Sequence, residues 1–218
     1  MSRKARPALK PADAREVLRD TAERLLGEKG IEGASMRQIA AEAGQGNNSV
    51  VQYHFGSKTG LMHEIIERRV AGFEPRREVL LAAAGERDIQ GLLKVLFLPI
   101  AELTDTQGRH VYARFIMHFL SSFRYQAGTD HPGWKPESAA SRAALLLAEQ
   151  LPFMEPADFE RRIDHLGGMF FNALIERDNL AAAGKPLCPD TLFFDELFAM
   201  MTAAVSIPAV GKDGRATP

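Results

Sequence analysis

Between Ser35 and Lys58 the chain reads SMRQIAAEAGQGNNSVVQYHFGSK, and its polar residues are of one kind. Asn47, Asn48, Ser49, Gln52 and Tyr53 follow one another closely with no charge among them. Uncharged amides and hydroxyls suit the edges of bases: Asn or Gln can bond bidentately to adenine, and Ser or Tyr can reach a base or a phosphate. Arg37 and Lys58 flank the cluster, where two cations could hold the two phosphate strands. Gly44-Gln45-Gly46 followed by Ser49 faintly resembles a phosphate-cradling loop. Such loops follow a strand, whereas here a helical segment precedes.

A second group lies further on. His110, Arg114 and His118 fall at i, i+4 and i+8, one face of a helix, and His165 could join them. They could ligate a metal or bind an anion. The plainer reading is a partly solvated polar stripe, and its functional form is contact with the polar group of a small molecule. Phe97, Phe115 and Met169 belong to aromatic and methionine stripes that suit a core, with some members left to line an apolar pocket between helices. No His-x-Glu, G-x-S-x-G or paired apolar-set carboxylates stand out, so nothing points to an enzyme. No cofactor and no metal site are expected, and Cys188, the single cysteine, can form neither an internal disulfide nor a zinc site alone.

These residues need a helical scaffold. With 218 residues, 45% hydrophobic and 25% charged, the chain can bury a sizeable core. Net charge is −1, but residues 1–58 hold ten Lys/Arg against seven Asp/Glu, and residues 1–10 hold four cations and no anion. The longest uncharged run, Leu197 to Gly211, is 15 residues, short of a membrane span. The basic N-terminus lacks the apolar stretch of a secretory signal. A cytoplasmic protein with no membrane partner is the expectation.

Strand signals are scarce and about nine helices are expected. The first spans Ala12 to Glu28 with Gly30 as its stop; a second runs from Ser35, which has capping-box spacing to Gln38, to Gly44; a third covers Asn48 to Tyr53. The fourth follows Ser57 to Ala84. Asp88 opens a fifth, which Pro99 should kink or break. Helices from Arg109 to Tyr125, Glu137 to Gln150, Pro156 to Ala183 and Asp190 to Ser206 complete the set, with a loop over Ala127 to Pro136.

The two helices around the glycine-containing turn make a helix-turn-helix arrangement. Ile39-Ala40-Ala41-Glu42-Ala43-Gly44 and Tyr53-His54-Phe55-Gly56-Ser57-Lys58 resemble the two ends of the DNA-binding motif of TetR-family regulators, and the resemblance covers residues 12–70. The turn carries one residue more than the commonest pattern, and Gln52 stands where the family usually has tyrosine. The resemblance implies an all-α fold. A flexible basic arm (1–11) precedes a DNA-binding domain (12–56, motif 35–55), an effector-binding and dimerisation domain (57–207) and a disordered tail (208–218). It further implies a repressor that binds a near-palindromic DNA operator as a homodimer and is released by a small-molecule effector, partly apolar in character. DNA contacts are expected from Ser35, Arg37, Asn47, Asn48, Ser49, Gln52, Tyr53, His54 and Lys58. Effector contacts are expected from Phe97, His110, Arg114, Phe115, His118, His165 and Met169. The dimer would pair the last two helices through Ile163, Leu166, Gly167, Phe170, Leu174, Leu197, Met200 and Met201, with Gly167 and Gly168 allowing close approach. The alternative is a helical small-molecule sensor or carrier with little DNA binding.

Overall fold

The computed structural model describes residues 11–45, 47, 49–85, 87–123 and 135–208. The basic arm up to residue 10, Asn48, most of the loop after Ala127 and the tail from residue 209 lie outside the described residues. Nine helices and no strand are found among those described: α1 (Pro11–Gly33), α2 (Met36–Glu42), α3 (Ser49–Phe55), α4 (Lys58–Ala83), α5 (Ile89–Ala101), α6 (Val111–Phe123), α7 (Ala139–Glu149), α8 (Pro156–Ala182) and α9 (Asp190–Ser206).

Short polar side chains start these helices by satisfying orphan N–H groups. The hydroxyls of Ser35, Ser57 and Ser138 accept from the amides of Gln38 (3.1 Å), Gly60 (2.9 Å) and Ser141 (3.2 Å), and the Asp88 carboxylate accepts from Gly91 (2.9 Å). The Ser35–Gln38 box is half closed: Gln38 turns its own amide to Glu42 at 3.1 Å.

Two expected stops are milder than the sequence suggests. Gly30 interrupts α1 at φ 76° and ψ 170°, but one further turn follows to Gly33 because Ile31, 5% exposed, folds back into the core. Pro99 lies in the last turn of α5 and does not break it, since a proline so near the end removes a single ladder bond. Pro75 sits well inside the 26-residue α4, which also continues through it.

One hydrophobic core runs the length of the molecule. In the head (α1–α3) Leu25, Leu26, Ile39 and Val51 are closed off, and in the body Phe115, Phe170 and Phe198 are equally closed. Head and body meet where α1 crosses α6. A Cβ on Gly27 would stand 3.0 Å from the Val111 carbonyl oxygen and 3.3 Å from the Phe115 nitrogen, so a larger residue would have to push the two backbones apart by a few tenths of an ångström.

The expected dimer residues need correction. Leu166, Phe170, Leu174, Leu197 and Met201 are between 0 and 3% exposed within the single chain, and a side chain closed inside its own chain cannot meet a second subunit. The apolar stripe read from α8 and α9 is their inward face. Gly167 looks toward Phe97 of the same chain at an ordinary 3.7 Å, and Gly168 faces open space, so neither glycine is required by a close neighbour. Met200 (50% exposed) and Leu192 (56%) lie outside, and Ile163 is half-buried.

Candidate nucleic-acid interface

The turn between α2 and α3 is built by backbone chemistry. Gly44 adopts φ 72°, a conformation that costs a glycine nothing sterically. The Gln45 amide then bonds to the Ala40 carbonyl (2.9 Å) and the Gly44 amide to Ala41 (3.1 Å), the Schellman pattern that ends a helix and redirects the chain. The Asn47 side-chain oxygen accepts from the Ser49 amide at 2.9 Å, so this residue starts α3 as a cap.

α3 is seven residues with two unlike faces. Val51 (0% exposed) and Phe55 (9%) fix it to the core, and Val50 is half-buried. Ser49, Gln52 and Tyr53, at i, i+3 and i+4, point away. Tyr53 is 84% exposed, the most exposed of the large hydrophobic side chains described, and the half-buried His54 packs edge-on against it with ring centres 5.2 Å apart.

α2 is braced behind this helix. Glu42 accepts from Arg24 of α1 at 2.7 Å and lies 3.7 Å from Lys29, and the Arg24 bond holds its carboxyl below the ordinary range. Ser35 caps α2, while Arg37 in its first turn is exposed. The Lys58 ammonium donates to the Ile31 carbonyl at the end of α1 and is half-buried. Of the nine residues expected at DNA, Ser49, Gln52 and Tyr53 share the outward face of α3, Arg37 is exposed on α2, and His54 is half-buried against Tyr53. Ser35, Asn47 and Lys58 are also tied to structure, and Asn48 lies outside the described residues.

The expected effector contacts do not converge. His110 is a clasp: its amide and Nδ1 meet the two Asp178 oxygens at 2.9 and 2.7 Å, and Nε2 faces the Ala101 carbonyl at 3.1 Å. Arg114 joins the same carboxylate at 3.6 Å and donates to Asn179 at 2.8 Å. These contacts tie the start of α6 to α8. His118 is exposed beside the kink at Gly30, 3.7 Å from where a Cβ would be, and His165 is exposed on α8. Phe97 and Phe115 are core, with Phe97 5.2 Å from Phe170, and Met169 is half-buried. Sequence spacing gave no sign of Asp178, which lies 68 residues from His110.

A short helix held on a braced partner by two apolar residues, with an uncharged polar face turned outward, defines a helix-turn-helix DNA-binding module. Residues 18–65 match the family model described as bacterial regulatory proteins, tetR family, so the N-terminal segment is similar to the DNA-binding domain of those regulators. No curated protein matches the chain in sequence. Among solved structures, a protein from Shewanella sp. PV-4 assigned to the tetR family of transcription regulators is 16% identical, with TM-score 0.53, over 88% of this chain and 97% of that one. A second, from work on control of antibiotic production by bacterial hormones, is 19% identical, with TM-score 0.50, over 88% and 97%. At these identities the likeness is one of fold.

Proposed function

We propose that this protein is a homodimeric repressor that grips a near-palindromic operator with two copies of α3 and lets go when a small molecule binds its body. The observation that carries the reading is the outward face of α3, where Ser49, Gln52 and an 84% exposed Tyr53 offer hydrogen bonds and stacking with no internal use. In a dimer the two α3 helices would enter successive major grooves, roughly 34–36 Å apart. Met200 and Leu192, apolar and half in water, are suited to the partner subunit. An effector releases DNA by binding better to the state whose reading heads are wrongly spaced, a population shift that requires differential affinity. Residues 12–56 are the reading domain and 57–207 the sensing and pairing domain.

Fluorescence anisotropy with DNA from upstream of the protein's own gene tests this, with a scrambled duplex as control. Tight salt-sensitive binding to the first and weak binding to the second is expected. Equal weak binding to both would favour a small-molecule sensor with little DNA binding.

A further inference from the structure

Where head and body meet, a cleft of about 210 Å³ opens between α1 and α4 on one side and the start of α6, with the connection that precedes it, on the other. Three carboxylates line it, from Asp20, Glu23 and Asp105, against the two guanidiniums of Arg24 and Arg69. Most of these charges are already engaged. Glu23 takes two bonds from Arg69, at 2.8 and 2.9 Å, and Arg24 is held by Glu28 and Glu42 at 3.1 and 2.7 Å. Asp105 accepts from the Gln107 and Arg109 amides through one oxygen and from the Arg109 guanidinium through the other.

Three lining groups keep lone pairs unused. Asp20 gives Oδ1 to Arg68 at 2.6 Å, and no described donor meets its Oδ2. The hydroxyls of Thr104 and Tyr112 have no hydrogen-bond partner among the described residues. Tyr112 is 3% exposed, yet its oxygen is not among the atoms closed off from solvent. Burial pushes its pKa up, so the phenol keeps its proton. A buried hydroxyl left unmet is costly, and a ligand that bonds to it removes that cost.

The lining selects the ligand by charge, valence and size. Its acidic excess repels an anion and draws in a cation. No three of the described His, Cys, Asp and Glu side chains are grouped to hold a metal ion, so an organic cation is required. A primary ammonium carries three N–H donors, one for each open acceptor. Leu103, Val111 and the Tyr112 ring supply apolar contact for the remainder, and an aromatic face also favours the cation. A void of about 150 Å³ holds a benzene ring, so this one admits a ring on a short arm.

We propose that the head–body cleft binds a small primary ammonium with an apolar body of one ring, its N–H groups received by Asp20, Thr104 and Tyr112. The proposal rests on the reading that a small molecule sets the DNA affinity of the chain. It gives that molecule a chemical class and a place where it bridges α1 of the head and α6 of the body.

The test is calorimetric titration and thermal unfolding of the full chain without DNA. Phenethylamine is the probe, with neutral phenethyl alcohol and anionic phenylacetate as controls. The amine should raise the melting midpoint by about 3–6 °C at ten times Kd, and the controls should not. Asp20→Asn should weaken amine binding about tenfold and Tyr112→Phe about fivefold. The asparagine variant strands no buried charge, because Asp20 is 53% exposed and Arg68 keeps Glu16 at 2.9 Å. Should Tyr112→Phe fail to fold, Thr104→Val at an exposed position carries the same comparison. No response to the amine, an equal response to either control, or unaltered amine affinity in the folded variants overturns the proposal. Operator release is read separately by fluorescence anisotropy. Amine binding without release keeps the site and removes its effector role. Operator binding by a chain that ignores the amine overturns the site and keeps the DNA reading.

Discussion

On the reading helix of the head, unused hydrogen-bonding groups lie outside: Ser49, Gln52 and Tyr53 project from α3 while Val51 and Phe55 close its other side. In the body one lies inside: Arg77 is 7% exposed and its Nε is sealed from solvent with no partner. Water satisfies the first set until a large partner displaces it, so its display leaves no buried group unmet. No described group satisfies the second, and a buried donor left unmet is costly. A surface display suits a macromolecule that arrives from solution, and an internal one suits a ligand small enough to be enclosed.

The comparison can be broken at several points. Phe170 packs on Phe97, Phe171 and Phe198 at 5.2–6.0 Å and is fully buried, so Phe170→Ala should destabilise the chain by about 3–5 kcal/mol in urea unfolding. A stable monomer instead would return this residue to the subunit interface. Next is Glu23→Gln, which strands Arg69. Burial pushes the Glu23 carboxyl up while its bonds to Arg69 pull it down, so the intact pair gains little, yet removing one member leaves a buried cation. With Arg69 24% exposed, the loss should be about 2–4 kcal/mol by the same measurement. Stability unchanged within error would mean that the head tolerates an unpaired cation as the body does.

Gln52→Ala should leave unfolding unaltered and reduce operator binding by about 1–3 kcal/mol, with non-specific binding kept. An equal loss on scrambled DNA would deny it a reading role. Arg77→Met has the opposite sign to the Glu23 change: without ligand the stability should be unchanged or raised by about 1–2 kcal/mol. A clear loss in chemical denaturation would show that Arg77 is a structural post. The smallest effect is at Ser35→Ala, where loss of the cap on α2 should cost about 1 kcal/mol, seen as a lower unfolding midpoint.

What the sequence made legible follows the range of each interaction. The helix-turn-helix rests on contacts within a few residues: the Ser35 cap, the Gly44 turn and the period of Ile39, Ala40 and Val51 can all be read locally. The inward stripe of α8 and α9 was also legible, but a stripe does not say what it faces, and Phe170 and Leu197 went to a second subunit on paper and to the core in three dimensions. His110 looked available because Asp178 is far along the chain. Arg77 was invisible for the reverse reason, since a lone arginine in a charged helix announces nothing until its neighbours are known to be apolar.

At the crossing of α1 and α6, main chain rests on main chain at Gly27. Most helix pairs are separated by side chains, and these bend, acting as a compliant pad that absorbs small displacements. Here the pad is missing, and the joint behaves mechanically as a fixed pivot between two stiff rods. A tilt of α6 therefore reaches α1 undamped. From Gly27 to the start of α1 at Pro11 the rod extends about 24 Å at helical rise, so an angular change of a few degrees at the pivot becomes a sweep of an ångström or two at its far end.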